Sequence, residues 1–379
     1  MNIGIDALPL ASTGGITRFL TSTLLELQRI DRENNYFLYS RVDFDLPFEN
    51  SRWGKRIHRR VPFLLSYMYF RRNGETTPLD VFWATRHTFP LGLPATTCKI
   101  FTVYDLVWCL YPETMHSLNY MWFKLFVSRA IRRANWIVTI SESTRKGIVE
   151  AFGIDRSKIA VLYPAAESFF ASQGRTEAIK HLVAKYGISE NYICTVGTIE
   201  PRKNLLMLIK AVKILRDRGE FRHQLLIVGP RGWKCEEIYA SAKQLELTEQ
   251  EMKFLGQIPD QDLAAVYSGA ALFVYPSLYE GFGIPLLEAM ACGTPIVASN
   301  APAIPEVADG AAVLVSPHRA EEIAEAIARV LDDPQLRAKL IDKGSRRARE
   351  FQYEATAQRM LYTLGEIAQG RRLAVRATA

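Results

Sequence analysis

The chain has 379 residues, 47 basic and 40 acidic, with a net charge of +7 and 48% apolar content. That is length and greasy material enough for two cores, which excludes disordered and fibrous classes. No stretch approaches the roughly 20 apolar residues a spanning helix needs; the longest, Val61 to Phe70, is about half that, which excludes an integral membrane protein. The opening MNIGIDALPL lacks the basic and long apolar regions of a secretory signal. Five scattered cysteines (Cys98, Cys109, Cys194, Cys235, Cys292) form no CxxC pair, so the expectation is a cytoplasmic chain with reduced, buried thiols.

Asn2 to Asp6 reads as a first strand, and Gly14-Gly15-Ile16-Thr17-Arg18 as the turn opening helix Ile16 to Arg29. GxGxxG is absent there, which disfavours a dehydrogenase. Strand Tyr36 to Ser40 follows, then Asp43-Phe44-Asp45, a DxD triplet in a polar loop remote from every other motif and read as coincidence. Arg52 to Arg72 carries Arg52, Lys55, Arg56, Arg59, Arg60, Arg71 and Arg72 around VPFLLSYMYF with no acidic residue, so this one segment equals the net charge of the whole chain. It reads either as a helix with an apolar core side or as a peripheral contact with an anionic lipid surface. No zinc-finger, helix-turn-helix or RNP-type pattern accompanies the charge, which argues against nucleic acid.

Strands Leu79 to Ala84, Cys98 to Val103, Trp136 to Ile140 and Ile159 to Tyr163 continue the first half, with helices Ser117 to Arg133 and Ser143 to Phe152 between them. Tyr163-Pro164 then breaks the pattern, and AAESFFASQGRTEA reads as a linker. The second half restarts with strands Tyr192 to Val196, Gln224 to Val228, Met252 to Leu255, Leu272 to Tyr275, Ile296 to Ala298 and Ala312 to Val315. Helix Lys203 to Leu215 has apolar residues at helical spacing, with Asn204 placed to help begin it. Alternation of this kind predicts an α/β protein of two Rossmann-like domains, residues 1–170 and 171–352, followed by a C-terminal helix and tail over 353–379. In such sheets ligands bind beyond the carboxyl ends of the strands.

The densest chemical signal lies in one such place. Tyr279-Glu280-Gly281-Phe282-Gly283-Ile284-Pro285-Leu286-Leu287-Glu288-Ala289-Met290 follows the strand ALFVYPS and opens a helix with Pro285 in its first turn. Gly281 and Gly283 let backbone amides approach a ligand, and a helix N-terminus favours phosphate. Gly197-Thr198-Ile199-Glu200-Pro201-Arg202-Lys203-Asn204 follows strand YICTV and puts two cations, Arg202 and Lys203, at a strand end, where they can neutralise a diphosphate leaving group.

The eight-residue offset from Glu280 to Glu288 within EGFGIPLLEAMACGTPIV, with Gly197 to Asn204 before it, resembles the signature of retaining glycosyltransferases of family 4. Their GT-B architecture has two Rossmann-like domains facing across a cleft, and the resemblance runs over essentially the whole chain. It implies that Glu280 and the loop of Gly281, Phe282, Gly283 and Ile284 hold a donor sugar, and that Glu288, near Leu287, binds the ribose. It further implies that Gly197, Thr198, Arg202 and Lys203 meet the pyrophosphate, with Gly229 of Gly229-Pro230-Arg231-Gly232 flanking the phosphates. Ile258 of Gly256 to Asp260 would present backbone to the base. The turn at Gly15 would face the donor phosphate. On the acceptor side it points to Arg18, Arg86, His87, Tyr104 and Asp105, the last as the ligand of an acceptor hydroxyl. Thr198 stands where many relatives have Arg, and Tyr104 where relatives often have His; a phenol, with a reference pKa near 10, donates a hydrogen bond but does not shuttle protons at neutral pH.

The resemblance thus implies a metal-independent, cofactor-free hexose transfer from a nucleoside diphosphate sugar to a glycan or lipid-linked hydroxyl, with Glu280, Arg202, Lys203 and Asp105 as the catalytic set. GDP-mannose is the expected donor, because EPRKN and EGFGIPLLEAMACGTP resemble bacterial mannosyltransferases of surface-polysaccharide assembly. A GT-B hydrolase or epimerase of nucleotide sugars, and a non-catalytic sugar-nucleotide or lipid-binding protein, are the alternatives.

Overall fold

The computed structural model describes residues 1–47, 51–57, 78–86, 88–90, 92–171 and 174–378, with side chains up to 370. His87 and the part of Arg52 to Arg72 beyond Ile57 lie outside the described residues. The chain divides into two compact units. The first takes in Met1–Trp108, Leu118–Pro164 and Gln352–Ala379, the second Cys109–Ser117 and Ala165–Phe351.

The first unit is built on seven parallel strands in the order β3-β2-β1-β4-β5-β6-β7: β1 (Asn2–Asp6), β2 (Asn35–Ser40), β3 (Trp53–Ile57), β4 (Val81–Ala84), β5 (Cys98–Val103), β6 (Trp136–Thr139) and β7 (Ile159–Val161). The second has six, in the order β10-β9-β8-β11-β12-β13: β8 (Tyr192–Val196), β9 (Gln224–Val228), β10 (Met252–Gly256), β11 (Leu272–Tyr275), β12 (Ile296–Ser299) and β13 (Val313–Val315). In both, the order reverses beside the first strand. This is the doubly wound topology, and it creates a switch point between β1 and β4 and another between β8 and β11. Central strands such as VFWA of β4, QLLIV of β9 and LFVY of β11 are buried throughout, because helices cover both faces of a parallel sheet. Helix Leu205–Asp217 and helix Ala320–Asp332 pack together on the second sheet through Leu208, Val212, Ile323 and Ile327, all fully buried.

Several expectations need correction. The start of the basic segment is an edge strand, β3, paired in parallel with β2. Its WGKRI lacks a buried alternation, Trp53 being its one buried residue: Trp53 stacks on Tyr36 at 4.0 Å, and on the other face Arg56 lies over the Phe37 ring at 4.8 Å. Charged edges of this kind deter pairing with another sheet. The polar stretch after Pro164 ends early, since helix Arg175–Tyr186 starts inside it. Helix Ser117 to Arg133 contains a π-turn at Phe123–Val127. Asn204 does not cap the following helix with its side chain; it adopts the left-handed conformation (φ 56°) and donates instead to Pro276 O at 3.0 Å and Pro317 O at 2.6 Å. The final helix is longer than the pattern suggested, Tyr353–Thr378, and Thr356 ties it to Tyr163 O within the first unit. Three of the cysteines are buried, but Cys109 is exposed. Among the described residues no helix is long and apolar enough to cross a membrane.

Candidate active site

The strand ends of the second sheet are laced together by backbone hydrogen bonds. Gly197 N donates to Val228 O at 2.9 Å, Gly229 N to Gly256 O at 2.8 Å, and Ile199 N to Pro230 O at 2.9 Å. This brings the loops after β8, β9 and β10 into one layer, so three motifs separated by about thirty residues each become neighbours. The close approach explains a glycine: a Cβ on Gly229, whose φ is 143°, would stand 2.0 Å from Gly197 O.

At the switch point between β8 and β11 the cations after β8 meet the carboxylate after β11. Glu280 is 7% exposed. Its Oε1 accepts from Lys203 Nζ at 2.6 Å, and its Oε2 from Arg202 Nη1 at 2.8 Å. Arg202 also donates from Nη2 to Glu200 Oε1 at 2.6 Å and from Nη1 to Tyr279 O at 3.0 Å. Lys203 donates to the Tyr275 hydroxyl at 2.9 Å. A short 3-10 turn, Pro201–Lys203, aims both cations, and Leu278 N, donating to Arg202 O at 2.9 Å, pins that turn to the loop carrying Glu280.

Burial alone would raise the Glu280 carboxyl, but the Arg202 and Lys203 charges outweigh it and hold the group at about 2. For Glu200 the balance reverses: burial, reinforced by the Glu280 charge, pushes its carboxyl above the usual range despite Arg202 and Lys203. Burial also lowers the Lys203 ammonium, with Glu280 opposing that shift. The cluster is therefore two half-buried cations held by two buried, unequal carboxylates, one lowered and one raised. Removing a member leaves a buried charge without its partner, which costs about 3 to 5 kcal/mol.

Behind Glu280, Gly283 takes φ 103° and caps helix Ile284–Ala291, with Leu286 N donating to Gly283 O. Glu288 lies within that helix, 3% exposed, and accepts from the Tyr267 hydroxyl at 2.9 Å. The Phe282 and Leu287 side chains are core residues, 2% and 0% exposed, Phe282 packing edge-on against Phe351. What they can offer a ligand is backbone. Thr198 and Ile258 are half-buried on the loops after β8 and β10. A narrow recess beside Lys203 is lined by Thr195, Val196, Gly197, Leu205, Ile227, Tyr275 and Ser277.

In the first unit, the ends of β1, β4 and β5 collect a second polar group. Asp6 Oδ2 lies 3.9 Å from Arg86 Nε, and burial raises the Asp6 carboxyl, with Arg86 and the Leu8 amide resisting. The Tyr104 hydroxyl is buried without a hydrogen-bond partner among the described residues, and burial pushes it far above its ordinary range. It therefore stays protonated and has a proton to donate. Asp105 Oδ1 accepts from Val107 N at 3.1 Å. Gly15 and Arg18 sit in the first turn of helix Gly15–Ile30, whose Arg18 amide donates to Gly14 O.

Sequence reasoning passed over Glu200, Tyr275 and Tyr267. Glu200 was visible inside GTIEPRKN, one residue of a motif already singled out; Tyr275 and Tyr267 carry no local signal, because their partners lie 72 and 21 residues away.

Residues 179–347 match the family described as glycosyl transferases group 1. The chain is 31% identical to O-antigen chain mannosyltransferase B of Escherichia coli over 67% of its length and 66% of that protein. It is 29% identical to the serotype-specific mannosyltransferase WbdA of Escherichia coli over 74% of its length and 35% of that protein. Against the O-antigen chain mannosyltransferase RfbU of Salmonella typhimurium it is 30% identical, over 62% and 60%. The chain thus matches less than two thirds of the length of each of these relatives. Among solved structures, WaaG, a glycosyltransferase involved in lipopolysaccharide biosynthesis, superposes with a TM-score of 0.74 at 16% identity over 94% of this chain and 98% of its own. Sucrose-phosphate synthase from Thermosynechococcus elongatus gives 0.72 at 19% over 98% and 99%. These likenesses establish the GT-B fold, and residues 179–347, which carry the Glu280 cluster, are a glycosyl transferases group 1 domain.

Proposed function

We propose that the chain is a retaining glycosyltransferase that moves a hexose from a nucleoside diphosphate sugar to a hydroxyl of a glycan or lipid-linked acceptor. The observation that carries this reading is the Glu280 carboxylate clasped by Arg202 and Lys203 at the switch point of the second sheet. A diphosphate leaving group needs fixed positive charge where its own charge develops, in a site that does not have to reorganise. Arg202 and Lys203 supply that charge on a rigid turn, which makes a divalent metal unnecessary.

Glu280 is ionised at neutral pH and each of its oxygens accepts from a cation. It is therefore unsuited to act as a general acid and poorly disposed to act as a nucleophile; its work is to orient the two cations and accept hydroxyls of the donor sugar. The reaction follows from this. The acceptor oxygen bonds to the anomeric carbon on the face that the leaving phosphate departs from, the bond from that carbon to the phosphate oxygen breaks, and the acceptor's proton passes to the leaving phosphate. Glu288 would take the ribose hydroxyls, while Gly15, Gly197, Thr198, Gly229 and Gly283 bring backbone to the phosphates. In the first unit, Asp105 would hold the acceptor hydroxyl, Tyr104 would donate from its protonated hydroxyl, and Arg18 and Arg86 would complete that side.

The similarity to O-antigen mannosyltransferases supports mannose, from GDP-mannose, and a place in surface-polysaccharide assembly on the cytoplasmic side of a membrane. The basic segment Arg52 to Arg72 is the proposed membrane-facing charge of that arrangement. A neighbour of the same fold, HepE of Anabaena, is solved with UDP-glucose, so donor choice is tested directly. In a thermal-shift panel of nucleotide sugars, GDP-mannose should stabilise most, by about 2.7 kcal/mol at 100 times its Kd. Stabilisation by UDP-glucose alone would reassign the donor, and none by any nucleotide sugar would remove the proposal.

A further inference from the structure

Between β5 and β6 the chain runs through Cys109–Ser117, a strap that groups with the second unit although the sequence on both sides of it belongs to the first. Within the strap, Pro112–Thr114 forms a 3-10 turn, and the Thr114 hydroxyl and amide both donate to Tyr111 O, at 2.8 and 3.1 Å. The turn therefore holds its own shape. Thr114 and Met115 are buried, so it is seated on the unit. Its anchors lie on the loop after β9: Trp233 Nε1 donates to Thr114 O and Lys234 Nζ to Glu113 O, each at 2.7 Å, from 119 and 121 residues away in sequence. Lys234 takes φ 52°, backbone that few non-glycine residues adopt and that persists where its surroundings require it.

The other end of the strap meets the loop after β11. The Tyr111 ring lies 5.6 Å from the Tyr279 ring at 34°, the spacing of an aromatic pair. Tyr279 is buried, and its carbonyl accepts from Arg202 Nη1 at 3.0 Å. The same nitrogen reaches Glu280 Oε2 at 2.8 Å. The peptide joining Tyr279 to Glu280 thus sets both acceptors of that nitrogen, and a ring fixed against Tyr279 limits how the peptide can turn. The Tyr111 hydroxyl has no hydrogen bond among the described residues, so the contact belongs to the ring.

We propose that Tyr111, held by the strap on Trp233 and Lys234, is a positioning residue for the Arg202 guanidinium. This rests on the reading above, in which Arg202 meets the leaving diphosphate. A cation that answers charge as it develops works best when it is fixed beforehand, and a displacement of about 1 Å at such a site costs up to roughly a hundredfold. A segment that only covered apolar surface would need neither two side-chain donors on its carbonyls nor a left-handed lysine beside them.

The test uses the full chain with GDP-mannose and a mannose-terminated lipid-linked acceptor. Tyr111→Ala should lower kcat on the order of tenfold and leave KM for the donor within about twofold. Tyr111→Phe keeps the ring and should restore kcat; Trp233→Phe, which removes the donor to Thr114 O, should fall between. Nuclear magnetic resonance on chain carrying isotope-labelled arginine, with the Arg202 signals identified through Arg202→Lys, reads the guanidinium directly. Its Nη signals should be separated by hindered rotation in wild type and in Tyr111→Phe, and should move towards coalescence in Tyr111→Ala. Circular dichroism reports that each variant is folded at the assay temperature. The proposal is overturned if folded Tyr111→Ala keeps the wild-type Nη separation, whatever its turnover, or if Tyr111→Phe is as impaired as Tyr111→Ala. If wild type turns over no sugar donor, the transfer reading falls, and the Nη signals alone decide the role of Tyr111.

Discussion

Glu200 and Glu280 are both buried carboxylates on Arg202, yet they are held in opposite directions. Glu280 has two cations and sits at about 2; Glu200 accepts from Arg202 on Oε1, while its Oε2 is buried without a hydrogen-bond partner among the described residues, and its carboxyl is raised. Glu200 thereby acts as a positioning residue, fixing the guanidinium so that its other nitrogen faces Glu280. Glu200→Gln keeps the volume and an acceptor oxygen but removes the negative charge that holds the guanidinium, a loss of roughly tenfold in kcat/KM for the donor. Partial recovery in Glu200→Asp would separate positioning from packing. A variant that unfolds more readily but turns over normally when folded would give Glu200 a structural role only. Much of this site was legible beforehand, because Glu280, Arg202 and Lys203 stand in two short motifs at strand ends. The sign of each carboxyl's shift was not, since it depends on which side chains converge after folding.

At the scale of elements, helix Arg175–Tyr186 is bound to helix Asp260–Gly269 through one buried carboxylate. Asp262 accepts from Lys185 Nζ and from the Tyr186 hydroxyl, each at 2.6 Å, and its Oδ1 lies 2.6 Å from His181 Nε2. Burial would raise Asp262, but these partners bring it down to about 2. A carboxyl lowered on folding contributes stability that is complete above its ordinary range and disappears as pH falls through the folded value. Asp262→Asn should therefore cost roughly 2 kcal/mol near neutral pH, and its gap from wild type should close between about pH 5 and pH 2. Urea midpoints across that range check this; a gap that does not change with pH would remove the electrostatic account. None of this pairing was readable from sequence, because the partners are 76 to 81 residues apart. The alternation of strands and helices, by contrast, was local and emerged nearly intact. β3 was missed for the opposite reason: in WGKRI only Trp53 is buried and two residues are charged, so no hydrophobic period marks it.

Over the whole molecule, two doubly wound sheets repeat one topology, and each collects its polar residues where the strand order reverses. The second sheet gathers Glu200, Arg202, Lys203 and Glu280; the first gathers Asp6, Arg86 and Tyr104. The net charge of +7 also has a structural distribution, with its excess in the first half of the chain: 21 basic against 15 acidic residues up to position 170, and 26 against 25 beyond. Part of that excess is edge-strand protection in β3, and part is the exposed Arg129, Arg132 and Arg133 in the helical stretch before β6. Such a distribution suits the transfer to a lipid-linked acceptor proposed above.

The central claim is that the chain transfers a sugar and does not merely bind or hydrolyse its nucleotide donor. The direct measurement is nucleoside diphosphate release from GDP-mannose by the full chain, with and without a mannose-terminated lipid-linked acceptor, in the presence and absence of EDTA. Release should require the acceptor, persist in EDTA, and fall by about a hundredfold or more in Lys203→Ala. Release that is equal without acceptor, or that survives loss of Lys203, would contradict the account.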